Sequence, residues 1–297
     1  MRVAGEDRIA TAAALSRASF EPGVPVAFVA TPGSFADALS AGPAAAELGG
    51  PILLAGSDLP AATAEELARL QPERVIVVGG EAAVSDAVAA QLASFTDGAV
   101  DRLAGADRFA TSAAVSAAVF EPGVPVFAAT GGNFPDALAG GVAAGVAGGP
   151  VLLIGDDVPA SIQTELDRLG SDRVTVLGGE QAVSAGVADQ LAADGADVVR
   201  VAGADRFATA AAVAEVAFPQ GAGTVYVATG AAFADALAGT PVAALSGAPV
   251  LLVTSDDVPA STAAALDWLD PTRVVVLGGT AAVSDDVAEA LNASAGG

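Results

Sequence analysis

The sequence predicts an α/β protein built from three similar parallel-sheet modules. Three observations carry that reading. A period of 98 to 100 residues runs along the whole 297-residue chain. Within each period, short apolar runs rich in Val, Ile and Leu alternate with Ala-rich helical runs, the pattern of parallel strands joined by crossover helices. Hydrophobic content is 53% with only 4% aromatics, so the apolar mass is Ala, Val and Leu, which suits packed helices and buried parallel strands. With few insertions between the registers, the unit boundaries are placed near 98 and 197, giving repeats 1–98, 99–197 and 198–297.

The second repeat serves for all three. Its strands are expected at VDRLAG, VPVFAATG, PVLLIG and RVTVLGG, with helices from Arg108 to Phe120, Phe134 to about Val146, Pro159 to Leu169 and Val183 to Leu191. Pro60, Pro159 and Pro259 suit the first turn of a helix, where a missing N–H costs nothing. Ser85, Ser184 and Ser284 read as N-caps. The units join through FTDGA (95–99) and ADGAD (193–197), too short for free linkers, so the modules are expected to be docked.

Composition removes whole classes of function. There is no Cys and no His, which excludes disulfides, thiolate nucleophiles, Ser-His systems and every His-ligated metal. All 12 basic residues are Arg; against 35 acidic residues they leave a net charge of -23, which repels nucleic acid. The longest uncharged stretches, such as Ala137 to Gly155, approach the roughly 20 residues that span a bilayer. Each is broken by a step such as Gly149-Pro150 or Ala248-Pro249, and the matching stretch of the first repeat carries Glu47, so no membrane insertion is expected. No signal peptide is expected either, because Arg2 to Arg8 already belongs to the repeated motif; the chain reads as a piece of a longer one.

In an open parallel sheet, ligands bind beyond the carboxyl ends of the strands, and the recurring polar residues gather there. Asp7 and Arg8 recur as Asp107 and Arg108 and as Asp205 and Arg206, and Asp37 recurs as Asp136 and Asp235; Arg74, Arg173 and Arg273 join them as threefold-repeated positive charges able to meet a polymer. These twelve are the candidate binding residues. The aspartates and the Asp-Arg pairs have structural alternatives: the carboxylates Asp37, Asp136 and Asp235 as helix caps in the first turn, the Asp-Arg pairs as a cap plus an arginine tying loops or neighbouring repeats together. The Gly-Gly pairs after the fourth strand lack the spacing of nucleotide loops and read as tight turns. Asp37 with Asp58 offers an acid/base pair in principle, but three near-identical copies favour binding through avidity over catalysis. No cofactor is called for, and the residues leave open whether a metal binds.

The motif RxAGADRFAT, then TGxNFPDAL, then P[IV]LL, then RVxxLGG, in fixed order and in three copies, resembles the type 2 cell wall-binding repeat of surface and S-layer-associated proteins of Gram-positive bacteria. The resemblance implies Rossmann-like or Toprim-like modules packed as a pseudo-threefold trimer, secreted to the cell wall as part of a larger surface protein. It implies non-covalent, non-catalytic attachment to an anionic wall polysaccharide. It also implies an anchoring role for an Ile-Leu-Leu motif, which falls on Ile52, Leu53 and Leu54, on Val151, Leu152 and Leu153, and on Val250, Leu251 and Leu252; from the residues alone these are a buried third strand. A charge of -23 sits awkwardly with an anionic polymer, so either the repeated arginines gather locally, divalent cations bridge, or the polymer presents a neutral backbone. The alternatives kept open are a polysaccharide-processing enzyme using the repeated aspartates and a structural S-layer assembly module.

Overall fold

The computed structural model describes residues 1–193 and 195–294; residue 194 of the second junction lies outside the described residues. The first repeat contributes β1 (Arg2–Val3), α1 (Arg8–Ser19), β2 (Ala27–Ala30), α2 (Phe35–Leu39), α3 (Ala41–Leu48), β3 (Ile52–Leu54), α4 (Ala61–Leu70), β4 (Val75–Val78) and α5 (Asp86–Leu92). The second contributes β5 (Val100–Leu103), α6 (Arg108–Val119), β6 (Val126–Thr130), α7 (Pro135–Ala147), β7 (Val151–Ile154), α8 (Ala160–Leu169), β8 (Arg173–Leu177) and α9 (Ala185–Leu191). The third follows with β9 (Asp197–Val201), α10 (Arg206–Ala217), β10 (Thr224–Thr229), α11 (Ala234–Leu245), β11 (Val250–Val253), α12 (Ala260–Leu269), β12 (Arg273–Leu277) and α13 (Asp285–Ala293).

The local chemistry is as expected at most ends. Ser85, Ser184 and Ser284 accept hydrogen bonds from the N–H groups of Val88, Val187 and Val287 and so cap α5, α9 and α13. The three prolines stand one residue earlier than expected, at the cap position with extended ψ, rather than inside the first turn.

Three four-stranded parallel sheets result, ordered β3-β2-β4-β5, β7-β6-β8-β9 and β11-β10-β12-β1. Each repeat's opening strand therefore pairs with the sheet of the repeat before it, not with its own. Val100 pairs with Val75 on β4, and Asp197 with Arg173 on β8. The physical reason is the β–α–β unit: β4, α5 and β5 are consecutive, and a crossover helix sets the next parallel strand beside the last. The ring is closed without such a crossover: β1, the first strand of the chain, completes the third sheet with Arg2 opposite Val276 and Val3 opposite Leu277.

Around the pseudo-threefold axis, α3, α7 and α11 pack against one another. Small residues make this approach possible: a Cβ on Gly145 would lie 2.8 Å from the Ala244 Cβ and 3.2 Å from the Ala46 Cβ. The Ala- and Gly-rich segments that read as near-membrane spans are these axial helices, and among the described residues no helix is long and apolar enough to cross a membrane. One continuous core draws on all three repeats, from Leu15 and Phe28 through Leu152 to Leu277. In the first two repeats the layer between α1 or α6 and the following outer helix also holds a buried charge. Glu66 accepts from Ser16 Oγ at 2.7 Å and from Arg69 at 2.6 Å, and Glu165 accepts likewise from Ser116 and Arg168. In the third repeat the same places hold Ala214, Ala265 and Trp268.

Candidate functional site

The loop AGxDRxxT builds one wall of each cleft. Asp107 caps α6 by accepting from the Ala110 N–H at 2.8 Å, and Asp7 and Asp205 cap α1 and α10 in the same way. Thr111 folds back to accept from the Gly105 N–H at 3.0 Å, repeated by Thr11 with Gly5 and Thr209 with Gly203. Gly105 is required there, since a Cβ would lie 2.4 Å from Ala110. Arg108, exposed on the helix start, donates to the Gly131 carbonyl; Arg8 donates to Pro32 at 3.1 Å and Arg206 to Gly230 at 2.5 Å. The cap-and-tie role considered for the Asp-Arg pairs is thus realised, and the remaining guanidinium face looks across to the neighbouring repeat.

The other wall comes from that neighbour. Arg108 lies over the ring of Phe35, 5.8 Å from its centroid, and Arg206 over Phe134 at 6.0 Å, within the range of a cation–π contact. Phe35, Phe134 and Phe233 meet on the axis with centroids 5.6 to 6.0 Å apart in tilted and edge-on arrangements. Next to each ring stands the first-turn aspartate. Asp136 is held by a hydrogen bond from Thr209 and faces Arg206, both of the third repeat; Asp235 faces Arg8 of the first repeat. Burial raises the pKa of both carboxyls above the ordinary aspartate value, and the Thr209 hydrogen bond and the arginines only partly offset it. Asp235 Oδ1 is buried and has no partner. The first-turn aspartates were considered as helix caps; Asp136 and Asp235 instead face residues across the repeat junction.

A glycine turn floors each cleft. Gly178 has φ +94 and lies so near Asp136 that a Cβ would come within 2.4 Å of Oδ2; Gly79 and Gly278 approach Asp37 and Asp235 in the same way. The turn is held by the inserted strand, as the Gly178 N–H donates to Val201 and the Gly178 carbonyl accepts from Arg200 at 2.8 Å. Arg2 and Arg102 bind the Gly278 and Gly79 carbonyls at 2.9 and 2.8 Å, which accounts for their recurrence. Between the first two repeats the cleft measures about 540 Å³ and is lined by Ser34, Asp37, Gly80, Asp107, Arg108 and Thr111 among others.

The structure thus brings together nine of the twelve candidates, three in each inter-repeat cleft: Asp37 with Asp107 and Arg108, Asp136 with Asp205 and Arg206, Asp235 with Asp7 and Arg8. It does not bring Arg74, Arg173 and Arg273 to them. These flank or open β4, β8 and β12 at their amino ends, on the opposite face. The Ile-Leu-Leu positions are β3, β7 and β11: Leu53, Leu54, Leu152, Leu153, Leu251 and Leu252 are 0% exposed, and Ile52, Val151 and Val250 are buried with them. α1, α6 and α10 cover these edge strands, and Thr63 and Thr262 donate to the Leu54 and Leu252 carbonyls at 2.6 Å. Sequence reasoning passed over the three phenylalanines, although their recurrence two residues before each aspartate was visible. Among the described residues no three acidic side chains gather where they could hold a metal ion.

Comparison with known proteins agrees with this architecture. The family described as Cell wall binding domain 2 (CWB2) matches residues 2–89, 102–188 and 200–288. The chain is 31% identical over 216 residues to the N-acetylmuramoyl-L-alanine amidase LytC of Bacillus subtilis (strain 168), covering 72% of this chain and 42% of that protein. It is 30% identical over 213 residues to the amidase enhancer of the same organism, covering 69% and 28%. Among solved structures, Cwp6 from Clostridium difficile superposes with a TM-score of 0.91 at 28% identity, covering 99% of this chain and 47% of that one. Cwp8 from Clostridium difficile gives 0.89 at 26% identity, covering 99% and 51%. The chain therefore spans less than half of the curated relatives and about half of each solved chain.

Proposed function

The chain belongs to the cell wall binding domain 2 family, and from that premise we propose that it attaches a larger secreted surface protein to the wall by holding an anionic wall polysaccharide, non-covalently and without catalysis, in three equivalent clefts. The observation that carries this reading is the threefold recurrence of one Asp–Arg–Thr constellation across the repeat junctions, all on one face around the Phe35, Phe134 and Phe233 cluster. Arg8, Arg108 and Arg206 would meet charged groups of the polymer. The exposed cleft carboxylates of Asp7, Asp107 and Asp205 would accept from sugar hydroxyls.

The mixed sign of each cleft answers the charge conflict locally. An arginine beside two carboxylates attracts an anionic group only at contact range, because the surrounding field of a -23 chain is repulsive. Affinity per cleft is then modest, and retention depends on three clefts of one rigid body engaging a repeating polymer together. The Ile-Leu-Leu strands contribute indirectly, by holding the sheets whose carboxyl ends present the clefts.

The test is a pull-down of the purified chain on stripped walls, with and without prior extraction of the secondary polymer, alongside a reducing-end assay. Retention that disappears on extraction, with no new reducing ends, is the expected result. Retention that survives extraction contradicts the polymer assignment, and reducing ends released in proportion to enzyme contradict the non-catalytic one.

A further inference from the structure

Arg173 takes no part in the clefts. It opens β8 at the opposite end of the second sheet, its side chain is exposed, and among the described residues it has no ion pair or side-chain hydrogen bond. It stands at the lip of a groove of about 350 Å³ that runs between the second sheet, the last turn of α7 and the side of α10. Phe127, Ala143, Leu177, Val201 and Val213 are buried in its lining, while Val146 and Val216 are 44% and 58% exposed. Apart from Arg173 and Thr175 the lining is apolar. Grooves of roughly 300–1,000 Å³ with apolar walls and one or two placed polar groups are the usual form of small-molecule sites.

Two observations separate this groove from ordinary surface. Of the five exposed large apolar side chains among the described residues, Val146 and Val216 lie here, and Met1 and Leu245 lie in the equivalent groove between the third sheet and α1. Scattered exposed apolar residues need no explanation, but this concentration does. At the second groove Met1, 52% exposed, lines the wall, and its Sδ accepts a hydrogen bond from Arg273, the counterpart of Arg173, at 2.8 Å. Apolar walls with one exposed guanidinium at the lip match an apolar chain that ends in an acceptor. Under Arg173 no such segment of the chain is present among the described lining residues.

We propose that the groove under Arg173 binds a single unbranched acyl chain ending in a carboxylate, the chain lying along Val146, Val213 and Val216 and the head pairing with Arg173. A planar guanidinium meets a carboxylate through paired N–H donors, which favours this head over a hydroxyl. The polymer clefts lie at the other end of the sheets, so the two sites are independent.

The test is a titration of the isotope-labelled chain with decanoate and, in parallel, with decanol, followed by amide NMR. Decanoate should shift the signals of Val146, Val216 and Ala217. R173Q should weaken decanoate about tenfold, the effect of one charge-assisted hydrogen-bonding partner, and leave decanol unchanged. Because Val216 is exposed, V216E folds without loss of core and should weaken both ligands. Decanoate and decanol binding alike, indifferent to R173Q, would overturn the head-group assignment. Concentration-dependent self-association that broadens the groove signals without ligand would overturn the site itself, because a second copy would then cover it.

Discussion

The two ends of the three sheets are built on different rules. At the carboxyl ends the side chains are the same in every repeat: Asp7, Asp107 and Asp205 cap, Arg8, Arg108 and Arg206 tie, and Asp136 and Asp235 face an arginine of the next repeat. At the amino ends Arg74, Arg173 and Arg273 recur, but the positions at the foot of the axial helices have drifted apart to Glu47, Val146 and Leu245. Both ends sit on the same strands and the same axial helices, yet the residues around the clefts repeat more completely than those at the opposite end. What repeats is what lines the clefts and joins the repeats, and under the proposed function it would offer a polymer of repeating units three equal sites.

Ways to break this contrast fall in order of size. The largest effect is expected in the strands common to both ends: Leu152→Asp buries a carboxylate with no partner at a site that is 0% exposed, costing more than about 4 kcal/mol and unfolding the second module in a thermal melt. Retention lost in that variant should follow the folded fraction. A Leu152 variant that stays fully folded yet loses retention would return the Ile-Leu-Leu motif to direct contact with polymer.

A smaller cost, roughly 3 kcal/mol, is expected for Glu165→Ala, which leaves Arg168 and the buried Ser116 without their acceptor. The third repeat shows the apolar solution to the same space. Replacing Ser116, Glu165 and Arg168 together by Ala, Ala and Trp should recover most of the lost stability in a denaturant titration. Equal losses for the single and triple variants would mean that the network does more than fill that layer.

Most of this was legible in the sequence. The period, the strand and helix cores, the serine caps and the cleft position of nine of the twelve candidate residues follow from recurrence and from side-chain chemistry that acts locally. Two things were misread. The exchange of the opening strand was hidden by cutting the repeat where its sequence motif begins, although β4, α5 and β5 are one continuous β–α–β unit. Arg74, Arg173 and Arg273 recur as regularly as the cleft arginines and were grouped with them on that ground, although the expected strand RVTVLGG already opens on Arg173 and so sets these arginines at the amino end.

Smaller effects separate the charged from the structural part of each cleft. Raising the ionic strength to about 0.5 M should weaken wall retention, since exposed charge contacts are screened over about 4 to 5 Å there; retention indifferent to salt would favour a neutral polymer. The pH dependence has a definite sign. Burial raises the carboxyls of Asp136 and Asp235 in the folded chain, so the native state holds their protons more tightly than the unfolded one. Their contribution to stability is fully present below the ordinary aspartate range and is lost as pH rises through the folded values. Asp136→Asn should therefore melt no lower than the parent at neutral pH, by a few degrees higher at most, while wall retention falls. A lower midpoint would mean that the charge itself holds the junction.

The central claim is that each binding site spans two repeats, and counting sites with a short soluble fragment of the wall polymer tests it most directly. Asp136→Ala with Arg206→Ala alters two repeats but one cleft, whereas Asp136→Ala with Arg108→Ala alters one repeat but two clefts. In a calorimetric titration the parent should bind three fragments, the first double variant two and the second double variant one. Finding one site in the first variant and two in the second would show that each repeat carries its own site, and would contradict the account.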